Sequence, residues 1–323
     1  MMTKKLALLG TIALLAFFPA VAQAQDPLSI ATMEPGSGTY ATALTIAKVV
    51  AETGGIDIRP RTFKGSTQGI PFVDNGEVNF GLESARGLVQ AYTGTGTFEG
   101  NPPFANLRLV GGIYPYHVGF IVRADSPIKT LADVRGKKMV TGYRASPNIT
   151  ALAAALLATG GLTLDDVEGL DVQTAIEARD QFVSGNVEVG LGGVDSSSMV
   201  QLAQEVGEIR YIPLDLSSEN MAAAREFLPN ARVMIVDPAP GRPGITEPTA
   251  VLEYDFLLYT NATTADDVIV KLIDGMIAER EAMVAMNPPF IWFKPELMAA
   301  QIGVPFHPAA EAHYKELGLW PTQ

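Results

Sequence analysis

No cysteine occurs among the 323 residues, and histidine occurs only three times. The first absence removes any disulfide framework, any thiol nucleophile and any lipid-modified cysteine behind an export signal. The second leaves little for a metal site or a catalytic base. His307 and His313 stand six residues apart, so the i, i+4 pair of a helical zinc site does not form, and His117 beside Tyr116 reads as structural or as part of a cleft edge. No Gly-x-Ser-x-Gly nucleophile elbow is present, and Asp165-Asp166 reads as the capped start of a turn. No catalytic residue, metal or cofactor is therefore assigned. Positive charge is also scarce, with 23 Lys and Arg against 35 Asp and Glu. Such an acidic chain is a poor partner for nucleic acid or anionic lipid.

Long apolar runs are missing too, apart from the start. Met1 to Lys5 is a short basic segment, Leu6 to Val21 is apolar, and Ala22-Gln23-Ala24 is a small-x-small cleavage pattern. A signal peptide over residues 1–24 is expected, cut before Gln25, which directs the chain to a bacterial periplasm. No later run approaches the ~20 apolar residues that span a bilayer. The mature chain would keep 21 basic against 35 acidic residues, a net charge of −14. Its roughly 300 residues suffice for a large core or for two domains. A small anionic ligand stays compatible with that charge, because surface charge is screened beyond about 8–10 Å while local N–H groups act at contact.

What is present is a repeated unit of strand, polar loop and helix start. Leu28 to Thr32 is strand-like and opens into Gly36-Ser37-Gly38-Thr39-Tyr40, after which Ala43, Leu44, Ala47, Val50 and Ala51 recur on one helical face until Gly54-Gly55. The loop lacks the Gly-Lys-Ser/Thr of a phosphate-binding P-loop and the third glycine of a dinucleotide fingerprint. A second strand, Ile56 to Arg61, delivers Gly65-Ser66-Thr67; a third, Val78 to Leu82, delivers Glu83-Ser84-Ala85-Arg86. Each loop alone is equally well a plain turn. Their repetition matters, because the carboxyl ends of strands in an open α/β sheet share one rim, where ligands bind.

The next strands are expected over Leu107 to Gly112 and His117 to Arg123, with a break between them. The pattern then resumes in Gly136 to Gly161. Met139 to Tyr143 is strand-like, Arg144 to Pro147 is a polar loop, and Ile149, Leu152, Ala153, Leu156 and Leu157 form one helical stripe. Ser146 or Asn148 can cap that helix, whose N-terminus suits an anion; an ordinary capped βα loop is the alternative. A helix near Ala175 to Ser184, a strand Val187 to Gly192 and the loop Val194-Asp195-Ser196 before a further helix complete the second series. Val251 to Thr260 reads as a strand returning to the first half, Asp266 to Met286 as one long helix and Ala309 to Leu317 as the last.

Taken together, these motifs make the chain resemble the TAXI family, extracytoplasmic solute receptors of TRAP transporters. The resemblance rests on Gly36-Ser37-Gly38-Thr39-Tyr40, Gly65-Ser66, Val78 to Ser84, Leu131 to Lys138, Leu156 to Leu162 with Asp165-Asp166-Val167, and Phe306-His307-Pro308-Ala309-Ala310. Two departures stand out: Arg144-Ala145-Ser146-Pro147-Asn148 replaces a usual Gly-Ser-Gly-Thr, and Glu83-Ser84-Ala85 replaces Gln-Ser-Asp. The resemblance implies an α/β, two-domain periplasmic binding protein of type II, with hinged domains around a ligand cleft. Residues 25–122 plus 251–323 would form one domain and 123–250 the other. It further implies capture of a small carboxylate, such as an acidic amino acid or dicarboxylate, by hinge closure, and delivery to TRAP membrane subunits. Expected ligand-binding residues are Gly36, Ser37, Gly38, Thr39, Tyr40, Gly65, Ser66, Thr67 and Ser84 on one wall. Tyr143, Arg144, Ser146, Asn148, Val194, Asp195 and Ser196 are expected on the other, with Arg144 as the carboxylate clamp. A receptor for an ATP-driven importer or a sensor kinase shares the same sheet logic, and an exported enzyme on this fold is the remaining alternative.

Overall fold

The computed structural model describes residues 27–321, so the expected signal segment and cleavage point lie outside the described residues. The strands are β1 (Leu28–Met33), β2 (Ile58–Phe63), β3 (Phe80–Ser84), β4 (Leu107–Arg123), β5 (Lys138–Tyr143), β6 (Glu168–Val172), β7 (Gly190–Gly193), β8 (Ile209–Tyr211), β9 (Arg232–Val236) and β10 (Thr249–Asn261). The helices are α1 (Gly38–Gly54), α2 (Ile70–Asp74), α3 (Ala85–Thr93), α4 (Pro147–Ala158), α5 (Ala175–Val183), α6 (Ser197–Val206), α7 (Ser218–Phe227), α8 (Asp266–Ala278), α9 (Arg280–Met286) and α10 (Pro308–Glu316).

Eight strands form one sheet in the order β2-β1-β3-β10-β4-β7, with β8 beside β4 and β9 beside β10; β5 and β6 pair separately and in parallel. β1 is parallel to β2 and β3, while β10 runs antiparallel to β3, β4 and β9. Two strands dominate this layout. β4, 17 residues long, and β10, 13 residues long, lie side by side and carry the sheet from one half of the molecule to the other. One core cluster takes its buried residues from 30–114 and 256–314, and two others take theirs from 118–252.

The expected break between residues 112 and 117 does not occur. β4 runs through Gly111, Gly112 and Pro115 because β10 pairs with it throughout, and the register shifts twice on the way, between Phe256 and Leu257 and between Leu258 and Tyr259. Bulges of this kind absorb an extra residue and bend the strand. The single helix expected over Asp266 to Met286 is two, divided at Glu279, whose φ of −104° and ψ of 28° leave the helical region. β6, α7 and β9 were not anticipated. Four of the five β6 residues are exposed, so no apolar alternation marks it.

Several helix and turn ends are held by side chains. Ser37 caps α1 by accepting from the Tyr40 N–H, and Gly55 ends it at φ 65°. Thr163 and Asp166 form a reciprocal capping box over the turn Leu164–Asp166. His117 is buried with Nε2 2.8 Å from Glu253 Oε2, its register partner on β10, and His307 caps α10 by accepting from the Ala309 N–H.

Candidate functional site

A cavity of about 210 Å3 opens where the loops at the carboxyl ends of β1, β2 and β3 meet α4, α5 and the β7–α6 segment. Half of the sixteen expected residues line it: Gly36, Ser37, Gly38, Thr39, Ser66, Ser84, Tyr143 and Asn148. At α1, the helical ladder starts with the Ala41 N–H on the Ser37 carbonyl, and the Tyr40 N–H goes to Ser37 Oγ. The N–H groups of Gly38 and Thr39 therefore stand ahead of the ladder, at the positive end of a 17-residue helix and on the cavity wall.

The β3–α3 corner is the polar centre. Ser84 caps α3 by accepting from the Gly87 N–H and donates its own hydroxyl to Glu83 Oε1 at 2.9 Å. Oε1 also accepts from the Ser84 N–H at 2.7 Å and from Asn148 Nδ2 at 3.0 Å. Asn148 belongs to the opposite wall, and its Oδ1 accepts from Arg86 Nη1 at 2.6 Å. One amide side chain thus joins α4 to both a carboxyl and a guanidinium of the first wall. Burial pushes the Glu83 carboxyl above the usual carboxylate range, against the pull of Ser66, Ser84 and Asn148 toward the ionised form. Burial likewise lowers the Arg86 guanidinium, and the charge of Glu83 works the other way.

Several expected residues sit elsewhere. Arg144 is 69% exposed and pairs with Asp171 at 3.6 Å, away from the cavity lining. It projects outward because its loop returns onto β6, where the Arg144 and Ala145 N–H groups donate to the carbonyls of Val172 and Gln173. Ser146 does not cap α4; its Oγ is buried without a partner, and Pro147 occupies the first helical position. Asn148 does not cap it either, being drawn across to Glu83 and Arg86. The other wall closes over this helix start: a methyl group on Gly65 would fall on the Ala145 carbonyl oxygen and lie 2.7 Å from Ser146 Oγ. The anion corner expected at α4 is therefore filled by packing. Tyr40, Thr67 and Val194 are likewise absent from the cavity lining.

Asp195 is the largest departure. It adopts φ 62°, the one non-glycine residue with positive φ among those described. Its Oδ1 accepts from Arg242 Nε at 2.5 Å, and its Oδ2 accepts from Arg242 Nη2 at 3.0 Å and from Trp292 Nε1 at 2.8 Å. Ser196, next to it, caps α6, and Ser198 in the first turn of that helix lines the cavity in its place. Glu83, noted in the sequence as a departure from the family pattern, completes the wall together with residues not singled out there, among them Tyr116, Tyr254, Phe256 and Arg179. Arg179 is engaged with Glu205 at 2.6 Å. Tyr116 and Tyr254 carried a signal in principle, since both alternate with core residues on the two long strands, but nothing local says which face looks into a cavity. Among the described residues no group of three His, Asp or Glu converges as a metal site, and no helix is long and apolar enough to cross a membrane.

The profile of the NMT1-like family matches residues 30–318. The chain belongs to the NMT1-like family. Solved structures with similar folds include the adipate-bound Rpa4515 of R. palustris, 14% identical over 92% of this chain and 96% of that one, with a TM-score of 0.57. The malate-bound MatC of Rhodopseudomonas palustris is 13% identical over 82% and 88% of the two chains, TM-score 0.54. The periplasmic binding protein BugD is 12% identical over 92% and 99%, TM-score 0.55. At these identities the likeness is one of fold, and this NMT1-like chain has the mixed α/β, two-domain architecture of periplasmic binding proteins. Its cavity lies where two strands, β4 and β10, run between the halves.

Proposed function

We propose that the chain is an extracytoplasmic solute receptor of the TAXI type, which captures a small carboxylate-bearing solute by closing two lobes around it. Residues 25–122 with 251–323 would form one lobe and 123–250 the other, a division supported by the separate core clusters. The observation that carries the reading is Asn148, which reaches from α4 across the cavity mouth to Glu83 and Arg86. A cavity whose walls are joined by side-chain contacts and by two continuous strands is built to open and shut, and a ligand that touches both walls favours the shut state. The solute carboxylate is assigned to the start of α1, where Gly38 and Thr39 offer N–H groups beside two hydroxyls. With Arg144 outside and Arg179 already paired, those donors replace an arginine clamp.

Export to the periplasm and delivery to TRAP membrane subunits complete the proposal, and no bond-breaking step is assigned. Membrane vesicles carrying a TRAP permease test it. Receptor-dependent, sodium-driven uptake of a bound solute is expected; uptake that requires ATP instead would reassign the receptor to an ATP-driven importer.

A further inference from the structure

The two walls of the cavity differ in kind. The first presents backbone N–H groups and the hydroxyls of Ser37, Thr39, Ser66 and Ser84, whereas the second is built from Ile149 on α4, Ile176 and Phe182 on α5, Leu191 on β7, and Met199 and Leu202 on α6. Ile149, Ile176 and Leu191 are only half-buried, so apolar surface stays uncovered at the cavity. Ile176 also reaches the mouth, where its Cδ1 would lie 3.5 Å from a methyl group placed on Gly36 of the opposite wall. Four residues of the second wall bring a polar side chain to the lining, and none offers a free charge. Asn148 is held by Glu83 and Arg86, Arg179 pairs with Glu205 at 2.6 Å, and Ser198 Oγ lies 2.6 Å from Ser196 Oγ. Tyr143 supplies a neutral phenol, which burial pushes further from ionisation. Glu83, the other charged residue of the lining, is itself an acid.

We propose that the solute is a monocarboxylate with an apolar body, an aromatic or branched-chain acid, whose body packs on Ile149, Phe182, Leu191 and Met199 while its carboxylate lies at the start of α1. The inference rests on the receptor reading and divides its ligand class. A dicarboxylate or an acidic amino acid would carry a second anionic group to the second wall, out of water and without a free cation. An unpaired buried charge costs more than apolar contact returns. An apolar body instead withdraws its own surface, and that of the half-buried side chains, from water, which is favourable in proportion to the area covered. Closure completes that burial, because Ile176 and the Gly36 loop meet over the mouth. Leu191 is thereby a residue that selects the body of the solute, not its head.

Titration calorimetry and thermal shift on the full mature chain, with three probe sets of similar length, test this: apolar monocarboxylates such as phenylacetate and isocaproate, dicarboxylates such as glutarate and adipate, and the acidic amino acids. The apolar monocarboxylates are expected to bind at least about tenfold more tightly than either other set, with the negative heat-capacity change that marks apolar burial. Leu191→Ala should weaken those acids roughly 5- to 50-fold and leave the weaker binding of acetate, which has no body, within about twofold of the wild type. Equal or tighter binding of the dicarboxylates or acidic amino acids would overturn the proposal and leave the receptor reading standing. A folded Leu191→Ala protein that holds the apolar acids as tightly as the wild type would do the same. The ranking by the wild-type protein decides the matter even if the variant folds poorly. Silence from all three sets would sink the carboxylate-receptor reading itself and this inference with it.

Discussion

The indole N–H of Trp292 donates to Asp195 Oδ2 at 2.8 Å, joining the segment Pro288–Trp292 to the loop between β7 and α6. Arg242 grips the same carboxylate with two nitrogens, and the Asp195 and Arg242 side chains are only 8% and 10% exposed. The His117 ring meets Trp292 edge-on at 4.6 Å, where β4 passes between the lobes. This cluster ties the segment Pro288–Trp292 to the β7–α6 loop and to β4.

Replacing Trp292 by Phe keeps the ring and removes one hydrogen bond to a charged acceptor, on the order of 1.5–3 kcal/mol. The ligand-free protein should open, with a larger radius of gyration by small-angle scattering and ligand binding weakened by roughly 10-fold or more. An unchanged radius and affinity would show that the contact does not favour closure.

Asp195→Ala has a different consequence, because it strands a buried guanidinium. Loss of one partner from a buried pair costs about 3–5 kcal/mol, so the urea midpoint should fall clearly. Asp195→Asn, which keeps an acceptor, should recover part of it.

Gly65→Ala tests closure from the opposite wall. The added methyl collides with the Ala145 carbonyl, a backbone atom that cannot rotate away. Gly65 sits at φ −145°, a conformation open to alanine, so each lobe should stay folded. Ligand affinity should fall at least tenfold, on the order of 1.4 kcal/mol, while the melting temperature of the free protein moves little. A variant that binds normally would mean the lobes need not approach this closely.

Arg144→Ala should change ligand affinity by less than threefold. Its exposed pair with Asp171 is of the kind that contributes about 0–1 kcal/mol. A loss of a hundredfold would return Arg144 to the site.

Glu83 also predicts how stability varies with pH. Because burial raises its folded-state pKa above the unfolded value, the folded chain holds the extra proton as pH climbs through the ordinary carboxylate range. That group therefore stabilises the fold at low pH and withdraws its contribution as pH rises toward the folded value. Glu83→Gln should match the wild type in acid and exceed it in stability at neutral pH, by chemical denaturation across the range. A variant that is less stable than the wild type at neutral pH would show that the ionised carboxylate is well compensated.

Local chemistry made several elements legible in advance. Apolar spacing placed α1, and Gly55 marked its end, because each depends on residues within a turn of one another, whereas the cap expected from Ser146 or Asn148 at α4 does not form. The glycine-rich loop at α1 could be assigned to a binding rim for the same reason. Long strands were harder. Residues 113–116 fall between two expected strands, yet pairing with β10, more than a hundred residues away, carries β4 across them.

The site divides along the same line. By itself, the amino-acid sequence determined which residue types were available, without cysteine and with few histidines, and which loops would sit at helix starts. Tertiary structure decided where each side chain points. Arg144 and Asp195 have the right chemistry for a ligand and are committed to Asp171 and to Arg242 with Trp292, while Glu83, marked in the sequence only as a departure beside Ser84, becomes a buried carboxyl held by Ser84 and by Asn148 from the opposite wall. Charge and hydrogen-bonding capacity belong to the residue. Whether they remain free for a solute depends on partners that only folding brings within reach.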